Sequence, residues 1–298
     1  MKFALAALAA LLSLPTLAAE VPGHVHCPSC DEWNAPQKPF NVYGNTWYVG
    51  TAGLSALLVT GPQGHVLLDG ALPQSAPQIQ KNIEALGFRI QDVKYILNSH
   101  AHWDHSGGIP ALQRASGAVV VASAASEREL RAGTNTPDDP QYDPATATTV
   151  EKLTGARIIQ DGDTVNVGPL KLTAHFTPGH TPGSTTWTWQ SCEQNVCRNV
   201  VYADSLNPVS TDGFHFTGDA THPDISQSMR ASIEKVAALP CDVIVSDHPG
   251  FTDTFEKLKA RTATHNPFVD PAGCKAYAAL FMQRLERRIE TERKEKAR

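Results

Sequence analysis

Outside the final stretch of the chain there is no run of Lys or Arg, and the 298 residues carry 25 Lys+Arg against 30 Asp+Glu, a formal charge of −5. That balance excludes a phosphate-tracking surface, and with it nucleic acid as a partner. The terminal pattern Arg284-Leu285-Glu286-Arg287-Arg288-Ile289-Glu290 alternates sign at helical spacing, so a solvated helix face accounts for its charges. Long apolar runs are also missing: none reaches the roughly 20 residues that span a bilayer. The one near the start, Ala4 to Leu14, follows Met1-Lys2-Phe3 and precedes Pro15-Thr16-Leu17-Ala18-Ala19. A basic start, an apolar stretch and a small-residue cleavage site describe a secretory signal peptide over residues 1–19. Glu20, not Cys, follows the expected cut, so no lipid-attachment cysteine stands there. The expectation is a periplasmic monomer that does not touch the membrane after cleavage.

Six cysteines in an exported chain point to disulfides. Cys192 and Cys197 bracket Glu193-Gln194-Asn195-Val196, a spacing that suits a bridge across a hairpin end. Cys241 precedes a strand and Cys274 opens the last helix, so a bridge between them would pin the C-terminal segment to the core. Cys27-Pro28-Ser29-Cys30, with His24 and His26 just upstream, fits either a local disulfide or a small zinc or redox site. No βαβ pattern surrounds it, which favours the local disulfide.

From Asn45 onward the pattern turns to strands: Thr46 to Val49, Leu54 to Val59, the turn Gly61-Pro62-Gln63-Gly64, then Val66 to Gly70. Antiparallel hairpins follow from that order. A helix entering near Pro77 places Ile79, Ile83 and Leu86 on one face and stops at Gly87. Val93 to Leu97 is a strand, about Pro110 to Ala115 a short helix, and Ala118 to Ala122 an all-apolar strand expected to be buried, which closes a βαβ unit. Gly133 to Thr149, rich in Pro, Asp and Thr, has no period and reads as a long loop of the functional kind. The second half repeats the style. Strands at Arg157 to Ile159, Thr164 to Val167 and Leu170 to Phe176 lead to the rigid loop Thr177-Pro178-Gly179-His180-Thr181-Pro182-Gly183-Ser184. Trp187 and Trp189 alternate with polar residues on the next strand, and both read as sheet packing. After the strand Val200 to Ala203 come Asp204-Ser205, a helix from about Ile225 to Leu239, and the strand Val243-Ile244-Val245 with Ser246-Asp247-His248-Pro249-Gly250 behind it.

The densest chemistry lies in Asn98-Ser99-His100-Ala101-His102-Trp103-Asp104-His105-Ser106-Gly107-Gly108. Side chains two apart on an extended segment point the same way, so His100 and His102 converge on one ion, while Asp104 and His105 turn toward a second. His180 and His248 also sit in loops that follow or interrupt strands, where open α/β sheets place ligands. His65, His175, His215, His222 and His265 lack that context and read as ordinary surface or core residues.

Taken in order, His-x-His-x-Asp-His, Pro-Gly-His-Thr-Pro-Gly, a strand ending Ala-Asp-Ser-Leu and Asp-His-Pro-Gly resemble the metallo-β-lactamase superfamily, and in detail its subclass B3 β-lactamases. The likeness runs from about Gly44 to the last helix. It implies a domain over residues 44–298 after an N-terminal tail of 20–43, in the α/β class: a four-layer αβ/βα sandwich of two similar halves with a metal cleft at one edge. It also implies two zinc ions, one on His100, His102 and His180, the other on Asp104, His105 and His248. Imidazole and carboxylate suit zinc. The activity implied is hydrolysis of the β-lactam amide of penicillins, cephalosporins and carbapenems by a zinc-bound hydroxide, with Asp104 orienting the nucleophile and carrying its proton. By the same resemblance Ser205 and Asn207 face the substrate carboxylate. Asp69 is a buried acid that holds the ligands by hydrogen bonds. Trp47 and the loop Gly133 to Thr149 either line the cleft or pack. Ser232-Ile233-Glu234-Lys235 matches a serine-nucleophile motif, but it lacks a Lys-Thr-Gly partner and lies on an amphipathic helix, so it reads as coincidence. The same metal loop serves thioesterases of the glyoxalase II kind and lactonases, which use a bridging aspartate near Asp204-Ser205. A bridging Asp204 would favour that rival, and a missing ligand would favour a zinc-binding protein without catalysis.

Overall fold

The computed structural model describes residues 23–297, so the expected signal peptide lies outside the described residues. One sheet takes seven strands in spatial order: β1 (Phe40–Tyr43), β2 (Thr46–Tyr48), β3 (Leu57–Gly61), β4 (Gly64–Leu68), β5 (Val93–Leu97), β6 (Val119–Ala122) and β7 (Arg157–Ile158). The helices of this half are α1 (Cys30–Trp33), α2 (Ala76–Ala85), α3 (Trp103–Ser106), α4 (Ile109–Ser116) and α5 (Ala124–Ala132). The other half forms a five-stranded sheet from β8 (Thr164–Val167), β9 (Leu170–Phe176), β10 (Thr185–Glu193), β11 (Val196–Ala203) and β12 (Val243–Ser246), in the order β12-β11-β10-β9-β8. With it go α6 (Ser226–Ala238), α7 (Thr254–Ala260) and α8 (Gly273–Lys296).

Both sheets follow one plan. Antiparallel hairpins come first, and parallel strands follow where a helix crosses back: β4, β5, β6 and β7 in one sheet, β11 and β12 in the other. Period-2 alternation then sorts side chains into three cores. Leu57, Val59, Val66 and Leu68 face Trp187, Val200, Tyr202 and Val245 between the sheets. Leu58, Leu67, Ile96 and Val120 point the opposite way, onto Ile79, Ile83 and Leu112 of α2 and α4. Val201, Ala203 and Ile244 meet Met229, Ile233, Tyr277 and Phe281 of α6 and α8. The layers are therefore α, β, β, α, and each large apolar side chain withdrawn from water contributes about 1.5–3 kcal/mol.

Several elements depart from the sequence reading. Arg157–Ile158, assigned there to the second half, pairs parallel to β6 and completes the first sheet. Phe40–Tyr43 falls in the segment expected as a tail, yet it pairs with β2. Val119 opens the strand expected to be buried but is 43% exposed. Helix α5 was not anticipated, although Ser123 caps its N-terminus by accepting from Ser126 N, and Gly133 ends it with φ +73°. The structure closes three disulfides, Cys27–Cys30, Cys192–Cys197 and Cys241–Cys274.

Candidate metal centre

The site forms where β5, β11 and β12 end, together with the loop between β9 and β10. Four hydrogen bonds tie these strand ends and loops to one another and to the segments that flank β3 and β4. Trp187 Nε1 donates to the Asn98 carbonyl at 3.0 Å, and Thr185 N to the Ser99 carbonyl at 2.8 Å. Ser55 N donates to the Asp247 carbonyl at 2.7 Å, and Tyr202 Oη to Asp69 Oδ2 at 2.8 Å. Behind the histidine loop the backbone turns so tightly that a Cβ on Gly108 would stand 2.1 Å from the Gly70 carbonyl oxygen, which accounts for a glycine there.

Six of the anticipated side chains meet. His100, His102 and His180 offer nitrogens within 4.8 Å of one another, and Asp104, His105 and His248 form a second such group. Asp104 and His105 reach it from one helical turn, α3, and not from an extended segment. Asp104 Oδ2 lies 3.3 Å from His105 Nε2 and 3.5 Å from His248 Nε2. A further trio, His100, His105 and Asp247, joins the two groups.

Four of the imidazoles are held from behind, which fixes the nitrogen that faces the cluster. His100 Nδ1 donates to Asp204 Oδ1 at 2.7 Å. His102 Nε2 donates to Asp139 Oδ2 at 2.9 Å. His180 Nδ1 donates to the Asn207 carbonyl at 2.9 Å, and His248 Nδ1 to the Gly53 carbonyl at 3.2 Å. His100 Nε2, fully buried, then has no hydrogen-bond partner. A buried imidazole nitrogen aimed at other ligand atoms and left unpaired is what a metal would satisfy.

Electrostatics point the same way. Asp69, Asp104, Asp139, Asp204 and Asp247 are all buried around these rings. So many buried acids are stable only with compensating positive charge. Burial disfavours charge on His105, but Asp104 and Asp247 outweigh it and lift the pKa to about 10; Asp139 does the same for His102, to about 9. Burial and the neighbouring rings hold His100 well below the usual histidine range, and burial with His102 lowers His180 to about 4. Although burial opposes it, His105 and His248 keep the Asp104 carboxyl well below the usual carboxylate range. Without metal, the protons on His102 and His105 supply the positive charge that these acids require. Two divalent ions would displace those protons and leave the neutral imidazoles and ionised carboxylate that bind zinc, so the donor set fits them.

Asp69 serves differently from expectation. Its Oδ1 accepts from Ser99 N at 2.8 Å and its Oδ2 from Ser99 Oγ at 2.6 Å, so it fixes the loop backbone and bonds no ligand imidazole. It does so in a left-handed conformation, φ +58°, that a non-glycine residue adopts at a cost. Burial lifts its pKa to about 6. Ser205 and Asn207 line the cleft, which encloses about 870 Å³. The loop after α5 lines it as well, with Asn135 and Gln141. Gln141 Nε2 lies 3.5 Å from His102 Nδ1 and 3.4 Å from His180 Nε2. Trp47 does not line the cleft and packs against Phe88 at 5.9 Å; the indoles on the cleft wall are Trp33, 5.2 Å from the His248 ring, and Trp103. Ser232 donates to the Pro178 carbonyl from α6 and plays no part here.

The family model described as the metallo-beta-lactamase superfamily matches residues 50–248. The chain belongs to the metallo-beta-lactamase superfamily. Among solved members it is similar to the Rm3 metallo-beta-lactamase at 50% identity and a TM-score of 0.87, over 90% of this chain and all of that one. To MEM-A1, a subclass B3 metallo-beta-lactamase isolated from a soil metagenome library, it is 44% identical with a TM-score of 0.85, over 88% and 99% of the two chains. A hydroxyacylglutathione hydrolase from Jannaschia sp. (strain CCS1) is 29% identical over 196 residues, which are 66% of this chain and 62% of that enzyme. The chain thus spans less than two thirds of that relative. A superfamily hydrolase with a histidine-rich metal centre is established, and its fold is that of the B3 enzymes.

Proposed function

We propose that this superfamily member is a zinc β-lactamase of the subclass B3 kind that opens the β-lactam amide of penicillins, cephalosporins and carbapenems and so confers antibiotic resistance. The observation that carries this reading is the position of Asp204. Its Oδ1 takes the back nitrogen of His100, so the ring stands between that carboxylate and the metal-facing nitrogens, and the next residue, Ser205, is a hydroxyl on the cleft wall. The thioesterases and lactonases of this kind use a bridging aspartate near Asp204-Ser205, and here that carboxylate is taken up behind His100; the acid that joins the two groups is instead Asp247, in the loop after β12. Near-complete coverage by metallo-beta-lactamases, against partial coverage by glutathione hydrolases, supports the same choice.

Two zinc ions on the six ligands would supply a water of lowered pKa and polarise the amide carbonyl. The chain's own groups do the rest. Asp104, held ionised by His105 and His248, accepts the proton of the attacking water at a carboxylate oxygen. Ser205 and Asn207 orient the substrate carboxylate, and Trp33 and Phe251 give the cleft apolar walls. Export to the periplasm belongs to the same proposal, and the three disulfides agree with an oxidising compartment.

The test compares a cephalosporin with an S-acyl glutathione thioester on one preparation. The reading expects kcat/KM for the β-lactam to exceed that for the thioester by roughly 100-fold or more, about 2.7 kcal/mol of transition-state preference. The reverse ranking would transfer the assignment to the thioesterase.

A further inference from the structure

Arg284 is the one Lys or Arg among the residues that line the cleft, whose other formal charges there are Glu32, Asp104 and Glu256. It rises from α8 and lies half-buried, its guanidinium 5.1 Å from the Phe251 ring centroid and 5.2 Å from that of Phe281. Aromatic rings at those distances strip water from the faces of the cation and leave its in-plane N–H groups to seek acceptors. One of the five, on Nη1, donates to Asn207 Oδ1 at 3.2 Å. The others have no partner among the described residues, and no carboxylate there lies within ion-pair distance of Arg284. Asn207 also accepts from His180 through its carbonyl, so a single residue separates the guanidinium from a ligand imidazole. Because Arg284 can only donate, it claims the Asn207 oxygen and turns the amide NH2 of Asn207 away as a further free donor.

The geometry points to Arg284 as the residue that binds the anionic group of the substrate. It presents a partly desolvated, unpaired fork beside Ser205 and Asn207, in a shape that matches a carboxylate. This inference rests on the β-lactamase reading, in which every substrate carries a carboxylate beside the ring to be opened. It adds a charged anchor on α8 to the polar pair on the loop after β11.

The experiment compares a cephalosporin free acid with its methyl ester on the wild-type protein, Arg284→Met and Arg284→Lys. Met keeps the apolar contact with the two phenylalanines and removes charge and donors; Lys keeps the charge without the fork. For the acid, Arg284→Met is expected to raise KM ~10–100-fold, as loss of a charge-assisted pair does, with kcat changed far less. For the ester no change is expected, and Arg284→Lys should recover part of the affinity for the acid. Equal losses on acid and ester, or an unchanged KM for the acid, overturn the assignment, since a purely structural role affects both alike. Wild-type protein that opens neither compound would overturn the β-lactamase reading itself, and this inference with it.

Discussion

Asp139 Oδ2 lies 2.9 Å from His102 Nε2, although 37 residues separate them in the chain. The same carboxylate accepts from Gln141 N through Oδ1 at 2.6 Å, so one buried acid orients a ligand ring and the glutamine that reaches over it. Glu129 of α5 anchors the loop by accepting from Thr136 N and Thr136 Oγ1, both at 3.1 Å.

Asp139→Ala is therefore expected to weaken metal binding at the His100, His102 and His180 group ~10–100-fold, the usual effect of removing a partner behind a ligand. His180→Ala goes further and should lose about one zinc with most of the activity. Competition against a chromophoric chelator checks both. Unchanged affinity in Asp139→Ala would mean that the His102 ring is oriented by something else.

Ser205 is 1% exposed, on the cleft wall, and its Oγ accepts from Asn207 N at 3.4 Å. If it binds the substrate carboxylate equally in ground and transition states, Ser205→Ala raises KM more than it lowers kcat. Steady-state kinetics decide it, and an unchanged KM removes Ser205 from the site.

Much of this centre was legible because its chemistry is contiguous. His100-x-His102-x-Asp104-His105 follows an apolar strand, and the second group is completed by a histidine that again follows one. The strands that carry the core were legible as well, because Leu54 to Val59, Val66 to Gly70, Val200 to Ala203 and Val243 to Val245 are apolar runs bounded by turn residues. What was not legible depends on tertiary closure. Nothing local marks Asp139 or Gln141, which reach His102 only because α5 and its loop fold back over the site. Trp33 and Trp47 are both partly buried indoles, and which of them reaches the cleft depends on α1 packing against Gly53. The two-residue strand Arg157–Ile158 carries no periodic signal, and the edge it joins is set by its parallel partner β6. Helix α5 did leave a signal, Ser123 as its cap and Gly133 as its stop.

His65 should set an acid limit on stability. Its ring is buried, its Nδ1 accepts from Gly61 N at 3.3 Å, and it meets Phe88 edge-on at 5.0 Å. Burial lowers its pKa from the ordinary 6.5. The unfolded chain then binds more protons than the folded one below pH ~6.5, so the stability present above that value falls as pH drops through the window. His65→Gln should flatten that part of a Tm-against-pH profile. A profile as steep as wild type would assign the loss to other groups.

Cys241–Cys274 closes 33 residues and ties the first turn of α8 to the segment before β12. Replacing both with alanine is expected to cost about 2–4 kcal/mol in denaturant titrations. Tyr277 on the same helix donates to the Asp204 carbonyl at 2.9 Å, so activity should fall as well. Removing Cys192–Cys197, at the far end of the β10–β11 hairpin, should leave kcat/KM unchanged. Equal effects from the two bridges would contradict a special role for α8.

The central claim is metal-dependent β-lactam hydrolysis. It is tested most directly by following a carbapenem and a cephalosporin with the purified protein, first as isolated, then after a zinc chelator, then after zinc is restored. The account predicts turnover of at least one, its loss on chelation, and its return as zinc refills the His100, His102, His180 and Asp104, His105, His248 groups. Turnover that survives complete removal of metal, or no turnover with both groups filled, would contradict it.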